Sequence, residues 1–318
     1  TYLTLPLAFL QSYGMLVLIN TSAGALPIIE NIRDPYIVLP IMLIITTGTL
    51  VMVWLGNLIT ENGIGNGVSL LIMTSILSAI PPQIASSLQI ASQDSSKLVP
   101  FAGMAIFIIL LTILVVIVAE SHRNVPISYG GRGQALKQNF LPIRVNQAGM
   151  IPIIFAVSLI AFPSVLAQFF QTSTDPIAQK FVTFVGTYFN QTGPLYISLY
   201  TVLIIAFSFF YVSITFNPDQ IADNIQKRGG FVPGLRPGKQ TSEYLGKIAN
   251  RLTLFGGIFL GFIAASPMIL NALTSQSSTG AIPVLISGAG LIIIVGVVLE
   301  LMRQVSAQLA MHNYDKFY

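Results

Sequence analysis

Six of the chain's fifteen Lys and Arg residues fall in one 25-residue stretch, KRGGFVPGLRPGKQTSEYLGKIANR, from Lys227 to Arg251. Basic side chains at this density can bind an acidic or phosphate-rich partner. The segment GLRPGKQT is superficially similar to a phosphate-binding loop. However, Pro233 stands where the first glycine is required, and Gln240 stands where Ser or Thr is required. We therefore interpret the stretch as a docking surface and not as a nucleotide site.

Other residue patterns that carry catalysis are absent from the sequence. His122 and His312 lie outside the apolar segments, and no Ser–His or His–Glu spacing fits a catalytic triad or a metal site. The chain has no cysteine. Every acidic residue lies at the end of an apolar segment or between two segments, whereas ion-coupled carriers usually keep an ionisable residue inside the membrane. The sequence thus predicts neither an enzyme nor a metal or cofactor site.

Two helices should carry the basic stretch. The first helix should begin at Asn217-Pro218-Asp219, a typical N-terminal sequence. It should end at Lys227-Arg228-Gly229, with the glycine as C-cap. A second start is predicted at Thr241-Ser242-Glu243. The connection between the two helices contains two prolines, which should hold Arg236 at a stiff tip. Basic residues in a loop can also serve only to orient the spans in the membrane. A stiff tip, however, favours a surface on which a partner docks.

The composition is that of a membrane protein. The chain is 53% hydrophobic with a mean hydropathy of +0.78 and only 8% charged residues, whereas soluble domains are about a quarter charged. About twenty apolar residues span a bilayer as a helix. The predicted fold class is therefore an all-α integral membrane protein with eight transmembrane helices joined by cytoplasmic loops, at 2–18, 36–55, 63–80, 101–119, 146–170, 194–215, 252–270 and 281–301.

Basic residues predict the orientation of these spans. With eight spans both ends of the chain lie on one side, and that side carries twelve of the fifteen basic residues. The opposite side carries only Arg33, Lys97 and Lys180. Because positively charged loops stay in the cytoplasm, both ends of this chain should be cytoplasmic.

Two spans depart from plain apolar helices. Span three has an uninterrupted apolar run only over 70–76, so it either takes in the glycine-rich segment 63–67 or is a shorter helix after a turn. The sequence leaves both alternatives open. Span five contains Pro152 and Pro163, which predict two bends.

Four segments occur in a fixed series: ITENGIGNGVSL (59–70), LPIRVNQAGMIPIIFA (141–156), GGFVPGLRPGKQT (229–241) and NRLTLFGGIFLGFIA (250–264). Together with the order of the spans they resemble the SecY family of protein-translocation channels over nearly the whole chain. Members of that family have ten spans, and this chain resembles the third to the tenth. We therefore expect a truncated sequence that lacks the first two spans, with the plug segment and one wall of the lateral gate.

The resemblance implies an hourglass pore that a ring of bulky aliphatic side chains closes at mid-membrane. Such a ring blocks ions by dewetting, and it offers no fixed hydrogen-bonding group to a passing polypeptide. Aligned by motif, the ring members here are Val68, Ile72, Ile154 and Ile293.

A lateral gate formed by spans one, five and six is also implied, through which signal sequences leave for lipid. Phe162 is the candidate for the face of this gate. The candidates for its polar cluster are Gln11, Asn66 and Gln147.

The resemblance places Arg236 in a loop that is important for the motor SecA and for the ribosome. The implied partners are SecE, SecG, SecA or the ribosome with its RNA, signal peptides, preproteins and membrane lipid, and no cofactor is implied. The loop 124–142 is shorter and less basic than is usual in the family, which puts its contacts in doubt. The docking candidates are Arg236, Lys227, Arg228, Lys239, Arg132 and Lys137.

The predicted function is a passive protein-conducting channel that draws energy from a motor ATPase or the ribosome. It should lie in the cytoplasmic membrane of a bacterium, and less plausibly in a thylakoid membrane. The alternatives are a secondary solute transporter with broken helices and an assembly scaffold without a pore. The chain divides into 1–119, a cytoplasmic loop at 120–145, and 146–318 with a basic hairpin at 217–251.

Overall fold

The computed structural model describes residues 4–22, 34–93, 98–129, 138–171, 175–190, 193–274 and 287–315. Most of these residues are helical, so the helical fold class is confirmed. The helices are α1 (Thr4–Ser22), α2 (Pro35–Asn62), α3 (Gly67–Gln93), α4 (Leu98–Glu120), α5 (Ile151–Phe170), α6 (Pro176–Tyr188), α7 (Pro194–Thr215), α8 (Pro218–Lys227), α9 (Lys239–Thr274) and α10 (Gly288–Asp315). The strands are β1 (His122–Tyr129), β2 (Gln138–Arg144) and β3 (Gly230–Phe231).

Seven of the described helices are long and apolar enough to cross a membrane, namely α2, α3, α4, α5, α7, α9 and α10. The apolar part of α1 is shorter, from Thr4 to Val17. These eight helices follow the order of the eight predicted spans, but the count of eight spans stays a prediction. At 36 residues and about 1.5 Å per residue, α9 is longer than the hydrocarbon core is thick. It therefore extends beyond the membrane at one end.

The glycine-rich segment before span three is a turn, so the helix does not take it in. Asn66 Oδ1 accepts a hydrogen bond from the Ser69 amide at 3.1 Å, and the Gly67 amide donates to Thr60 Oγ1 at 2.9 Å. Gly65 has a φ of +91°, which suits glycine. The helix α3 begins at Gly67 and gains its length at the other end, where it continues to Gln93. The second alternative is therefore right about the turn and wrong about the length, because α3 is not short but has 27 residues.

Only one of the two prolines in span five lies inside the helix. Pro152 is the second residue of α5, and Pro163 lies in its interior. A proline in the first helical turn removes no intrahelical hydrogen bond and meets no preceding turn. The predicted bend at Pro152 is therefore wrong.

One compact unit of the chain comprises Thr1–Pro81, Ser158–Tyr196 and Val297–Tyr318. In this unit α1 packs on α2 around a small apolar core of Leu16, Val38 and Met42. The turn before α3 packs on α10, because a Cβ added to Gly65 would lie 2.9 Å from Leu301 Cδ2.

A second compact unit comprises Pro82–Val157 and Ile197–Gly296. Glycines allow its helices to approach closely. A Cβ on Gly261 of α9 would lie 2.8 Å from Thr201 Cγ2 of α7. A Cβ on Gly288 of α10 would lie 2.3 Å from the Ile263 carbonyl oxygen of α9. Small residues therefore fix the spacing of α9 from both neighbours.

The second unit also contains a three-stranded antiparallel sheet with the order β2-β1-β3. His122 lies opposite Arg144, and Ser128 lies opposite both Gln138 of β2 and Phe231 of β3. The segment that the sequence suggested was a plain loop is thus a β-hairpin, and it pairs with the basic stretch.

Candidate functional site

The basic stretch belongs to a folded platform. We call this the basic platform, and it consists of β1, β2, β3, α8 and α9 up to Leu252. Its apolar core contains residues from β1, β2, α8 and α9 and the residue that follows β3, and Val125 and Leu245 have at most 1% of their surface exposed. The buried members of the core are Val125, Ile127, Ile143, Ile225, Val232, Leu245 and Ile248.

The local sequence explains this core. In β1, Val125 and Ile127 are buried two residues apart, as expected for one face of a strand. In α8, Ala222 and Ile225 are buried three residues apart, while Asp219 is exposed. Asn217 caps α8 through a hydrogen bond from the Gln220 amide at 3.2 Å. The predicted start of this helix is therefore confirmed.

Hydrogen bonds between side chains and the backbone of Arg236 hold the tip of the platform. The Arg236 amide donates to Gln240 Oε1 at 3.3 Å, and Thr241 Oγ1 donates to the Arg236 carbonyl at 3.0 Å. Gly234 and Gly238 have φ values of +85° and +95°, which a residue with a Cβ rarely adopts. Both peptide groups of Arg236 are therefore fixed, while its side chain is exposed.

The boundaries of α8 and α9 differ from the prediction in two details. Arg228, and not Gly229, is the C-cap of α8, and Gly229 follows with a φ of +71°. The helix α9 begins at Lys239, two residues before the predicted start. Ser242 does not cap α9, because its hydroxyl donates to Asp219 of α8. This side chain instead joins the two helices that carry the tip.

The basic platform carries an excess of positive charge. Six basic and three acidic residues lie between positions 217 and 251. The described docking candidates Lys227, Arg228, Arg236 and Lys239 are all exposed. The other two candidates, Arg132 and Lys137, lie outside the described residues. The platform therefore presents at least four candidate cations on a rigid support.

The four candidates for the pore ring differ in burial. Val68 is 40% exposed, and its Cγ2 lies 2.9 Å from the position of a Cβ added to Gly56 of α2. Ile72 and Ile154 are half-buried, and Ile293 is 8% exposed. Val68 and Ile72 belong to the first compact unit, and Ile154 and Ile293 to the second. Their convergence on one pore stays a prediction.

The candidates for the lateral gate occupy four different environments. Gln11 is exposed on α1, and Phe162 is 52% exposed on α5. Asn66 caps α3 through the bond to Ser69 described above. Gln147 lies in the turn before α5, and its buried Oε1 has no hydrogen-bond partner among the residues that the structure describes. A shared polar cluster of Gln11, Asn66 and Gln147 stays a prediction.

The sequence did not indicate which residues line the contact between α1 and α5. The rings of Tyr13 and Phe169 stack there with centroids 4.8 Å apart. A Cβ on Gly14 would lie 2.9 Å from Gln168 Oε1, so the glutamine side chain lies against the backbone of α1. The available signal was Gly14, the one glycine in the sequence of α1.

Known proteins share both the sequence and the fold. The SecY family matches residues 1–302. The protein translocase subunit SecY of Mycobacterium leprae is 37% identical over 99% of this chain and 73% of its own length. The SecY subunit of Buchnera aphidicola is 35% identical over 99% of this chain and 70% of its own length.

Two solved structures share the fold at lower identity. One was described as "The structure of a protein conducting channel"; it is 20% identical, has a TM-score of 0.65, and covers 95% of this chain and 71% of its own. Another, of a SecY protein studied for its plug domain, is 19% identical with a TM-score of 0.66, again over 95% of this chain and 71% of its own. The resemblance inferred from the four sequence segments is confirmed. The chain belongs to the SecY family.

Proposed function

We propose that this chain is the channel subunit of a protein translocase. It passes unfolded preproteins across the cytoplasmic membrane and releases signal sequences or transmembrane segments laterally into lipid. One observation carries the proposal: a basic platform with exposed cations is continuous in the chain with α7 and α9, and five of the seven candidate membrane helices carry no internal charge. Among α2, α3, α4, α5 and α7, the charged residues are Glu61 and Glu120, both at helix ends. Helices of this kind favour a passive channel over an ion-coupled carrier, and in the proposed channel the energy comes from a docked motor ATPase or the ribosome.

The relatives favour this function over a solute carrier. They are named as protein translocase subunits, and a solved structure with this fold is described as a protein-conducting channel. The transporter alternative has no support from these relatives. It would also require polar or charged groups at the middle of the spans.

In the proposed channel, Val68, Ile72, Ile154 and Ile293 form the ring that seals the pore. Aliphatic side chains exclude water and ions when the channel is idle. They also yield to any polypeptide, because they form no sequence-specific hydrogen bond. The gate positions Gln11, Asn66, Gln147 and Phe162 would meet signal sequences on their way to lipid.

The proposed partners follow from the platform. SecE and SecG complete the membrane complex, and SecA or the ribosome docks on the platform at the cytoplasmic face. Arg236 is the central contact because its backbone is fixed and its guanidinium is exposed. Lys227, Arg228 and Lys239 add exposed charge on the same platform, and Arg132 and Lys137 add charge in the sequence between β1 and β2. We place the complex in the cytoplasmic membrane of a bacterium, as its relatives suggest.

Charge reversal at the tip tests the proposed function. Arg236→Glu in the assembled translocase should lower preprotein transport more than tenfold, because loss of a desolvated charge contact costs about 2–5 kcal/mol. Lys247→Glu makes the same charge change at an exposed position of α9 away from the tip. It should change transport less than about twofold, as expected of an exposed charge. Equal transport by both variants, with assembly intact, would contradict a docking role.

The salt dependence of binding identifies the partner. Affinity for ribosomal RNA should fall steeply with salt, because RNA releases condensed counterions when basic side chains bind. Binding to SecA through a few protein contacts should respond weakly. A flat response therefore favours the protein partner and counts against RNA.

A further inference from the structure

The short helix α6 carries a stripe of exposed apolar side chains. The helix has 13 residues, PIAQKFVTFVGTY, with Lys180 as its one charged residue. Ile177, Phe184 and Tyr188 are 78%, 53% and 47% exposed. Their spacings of seven and four residues place all three on one side of the helix. Exposure of this stripe to water would be unfavourable, because it contains two aromatic rings and a branched aliphatic side chain.

A second side of α6 packs on the protein. Val185 is buried there, and Phe181 is half-buried. The ring of Phe181 meets the ring of Phe170, the last residue of α5, edge-on with centroids 6.1 Å apart. Both residues belong to the first compact unit. The apolar stripe is therefore not the surface that holds α6 on the protein, and it faces outward beside that surface.

The third side of α6 is polar. Gln179, Lys180, Thr183 and Thr187 are exposed on it. The hydroxyl groups of Thr183 and Thr187 donate to the carbonyls of Gln179 and Thr183, each at 2.8 Å. The helix thus divides lengthwise into a side that contacts protein, an apolar side and a polar side. Apolar and polar sides of this kind are typical of a helix that lies in the plane of a membrane interface.

The neighbours of α6 in the chain determine its level. The helix α5 ends at Phe170 and α7 begins at Pro194, and both are long and apolar enough to cross a membrane. Only residues 171–175 and 189–193 separate α6 from them. The contact of Phe181 with Phe170 places the middle of α6 beside the end of α5. An apolar span ends where hydrocarbon gives way to lipid headgroups, so α6 lies at that boundary.

The order of the elements also assigns α6 to one membrane face. It precedes α7 in the chain, whereas the basic platform begins after α7, at Pro218. The two ends of a spanning helix reach opposite faces of the membrane. The stripe on α6 is therefore separate from the surface on which a cytoplasmic partner docks.

We infer that α6 is an interfacial anchor, which lies in the lipid leaflet opposite the basic platform with Ile177, Phe184 and Tyr188 immersed among the upper acyl chains. Its partner is the lipid surface and not a particular headgroup, because the stripe contains no charged side chain. The rings of Phe184 and Tyr188 lie together with centroids 4.8 Å apart, and tyrosine is enriched at membrane–water boundaries. The inference stands whatever the chain transports.

An anchored α6 has a consequence for the proposed channel, and this consequence alone rests on the proposed function. The gate candidate Phe162 lies on α5, and α6 packs on the last residue of that helix. The anchor would therefore hold one end of a gate helix at the membrane surface.

Spin labels measure the position of α6, because the absence of cysteine from the chain allows one label at a time. Ile177→Cys, Phe184→Cys and Thr183→Cys are labelled with a nitroxide in the assembled translocase, in phosphatidylcholine vesicles. Oxygen concentrates in hydrocarbon, and a charged nickel chelate stays in water. Labels at Ile177 and Phe184 should collide several-fold more often with oxygen than with the chelate. The label at Thr183, on the polar side, should show the reverse, and added phosphatidylglycerol should change none of these values.

Hydrogen exchange tests the anchor without a label. Phe184→Asn should speed exchange at the Val182 and Val185 amides about tenfold in vesicles, because α6 loses apolar contact with lipid and opens more often. Thr183→Asn is the matched control and should leave exchange unchanged, since Phe, Thr and Asn have similar helix propensities. Equal exchange in the two variants would contradict the anchor.

Three results with the labels would overturn the inference. Equal access of the nickel chelate to the labels at Phe184 and Thr183 would mean that the stripe stands in water. Protection of Ile177 and Phe184 from both reagents would assign the stripe to a protein partner or to a second copy of this chain. A large rise in oxygen access on addition of phosphatidylglycerol would mean that lipid charge, and not the apolar stripe, positions α6.

Discussion

At the scale of single residues, the basic platform depends on the absence of a side chain at Gly230. This residue lies in β3 opposite Tyr129 of β1. A Cβ at this position would lie 2.8 Å from Tyr129 Cε1, 3.0 Å from Ile225 Cγ2 and 3.2 Å from the Ile225 carbonyl oxygen. Ile225 belongs to the buried core, so it cannot simply move away. The close contact between β3 and α8 therefore requires glycine.

We expect Gly230→Ala to lower the free energy of opening of the platform by about 1–3 kcal/mol, the usual cost of overpacking. Hydrogen exchange at the Val125 and Leu245 amides measures this opening, because both residues lie in the core. Gly246→Ala is the matched control, since its Cβ would lie 3.7 Å from Pro218 Cγ, an ordinary contact. It should leave exchange unchanged or slow it. Equal exchange in both variants would contradict the packing described here.

At the scale of elements, the contact between α1 and α5 is the part of the proposed lateral gate that the structure describes most closely. Tyr13 and Phe169 stack across it, and Gln168 lies against Gly14. If signal sequences leave between these helices, the contact must open during transport. A covalent link across it should prevent that opening.

The absence of cysteine from the chain makes such a link easy to introduce. A short bismaleimide joining Tyr13→Cys to Phe169→Cys should abolish most preprotein transport, while the unlinked double variant remains active. The control pair is Phe170→Cys with Phe181→Cys, whose rings join α5 to α6 with centroids 6.1 Å apart. Linking this pair should leave transport largely intact. Full transport with α1 linked to α5 would show that this contact stays closed and would argue against the proposed gate.

Elements that are determined by neighbouring residues were predictable from the sequence. Elements that depend on residues far apart in the sequence were not. The start of α8 was predictable because Asn217 and Pro218 supply its cap and first turn within the chain itself. The β-hairpin was not, because Pro126 and Pro142 lie within its strands and proline argues against a strand. Its pairing with β3 joins Tyr129 to a residue about a hundred positions later, which no local pattern indicates.

At the scale of the whole molecule, the family and its function were predictable because four specific segments recur in order. The positions of individual site residues were less predictable. Asn66 caps α3 in the structure, which the sequence did not indicate, and its place in a polar cluster stays a prediction. Gln168 was not expected at all, and it lies against α1. Motifs thus identify the kind of channel, whereas packing decides which polar groups meet.

The proposed channel makes a last prediction about leakage. If Ile154 belongs to the sealing ring, Ile154→Asn places an amide in the dry constriction, and water and ions should pass through the idle channel. Ion conductance across a planar bilayer that contains the assembled complex measures this directly.

Leu159→Asn is the matched control, because Leu159 lies on the same helix with half of its surface exposed. It should conduct no more than the unmodified complex, since a residue five positions away on a helix lies on another face. Ile293→Asn should leak as Ile154→Asn does, provided that this more buried position tolerates the amide. If Ile154→Asn and Leu159→Asn conducted equally, Ile154 would not line the seal, and the ring would have to be sought on another face of α5.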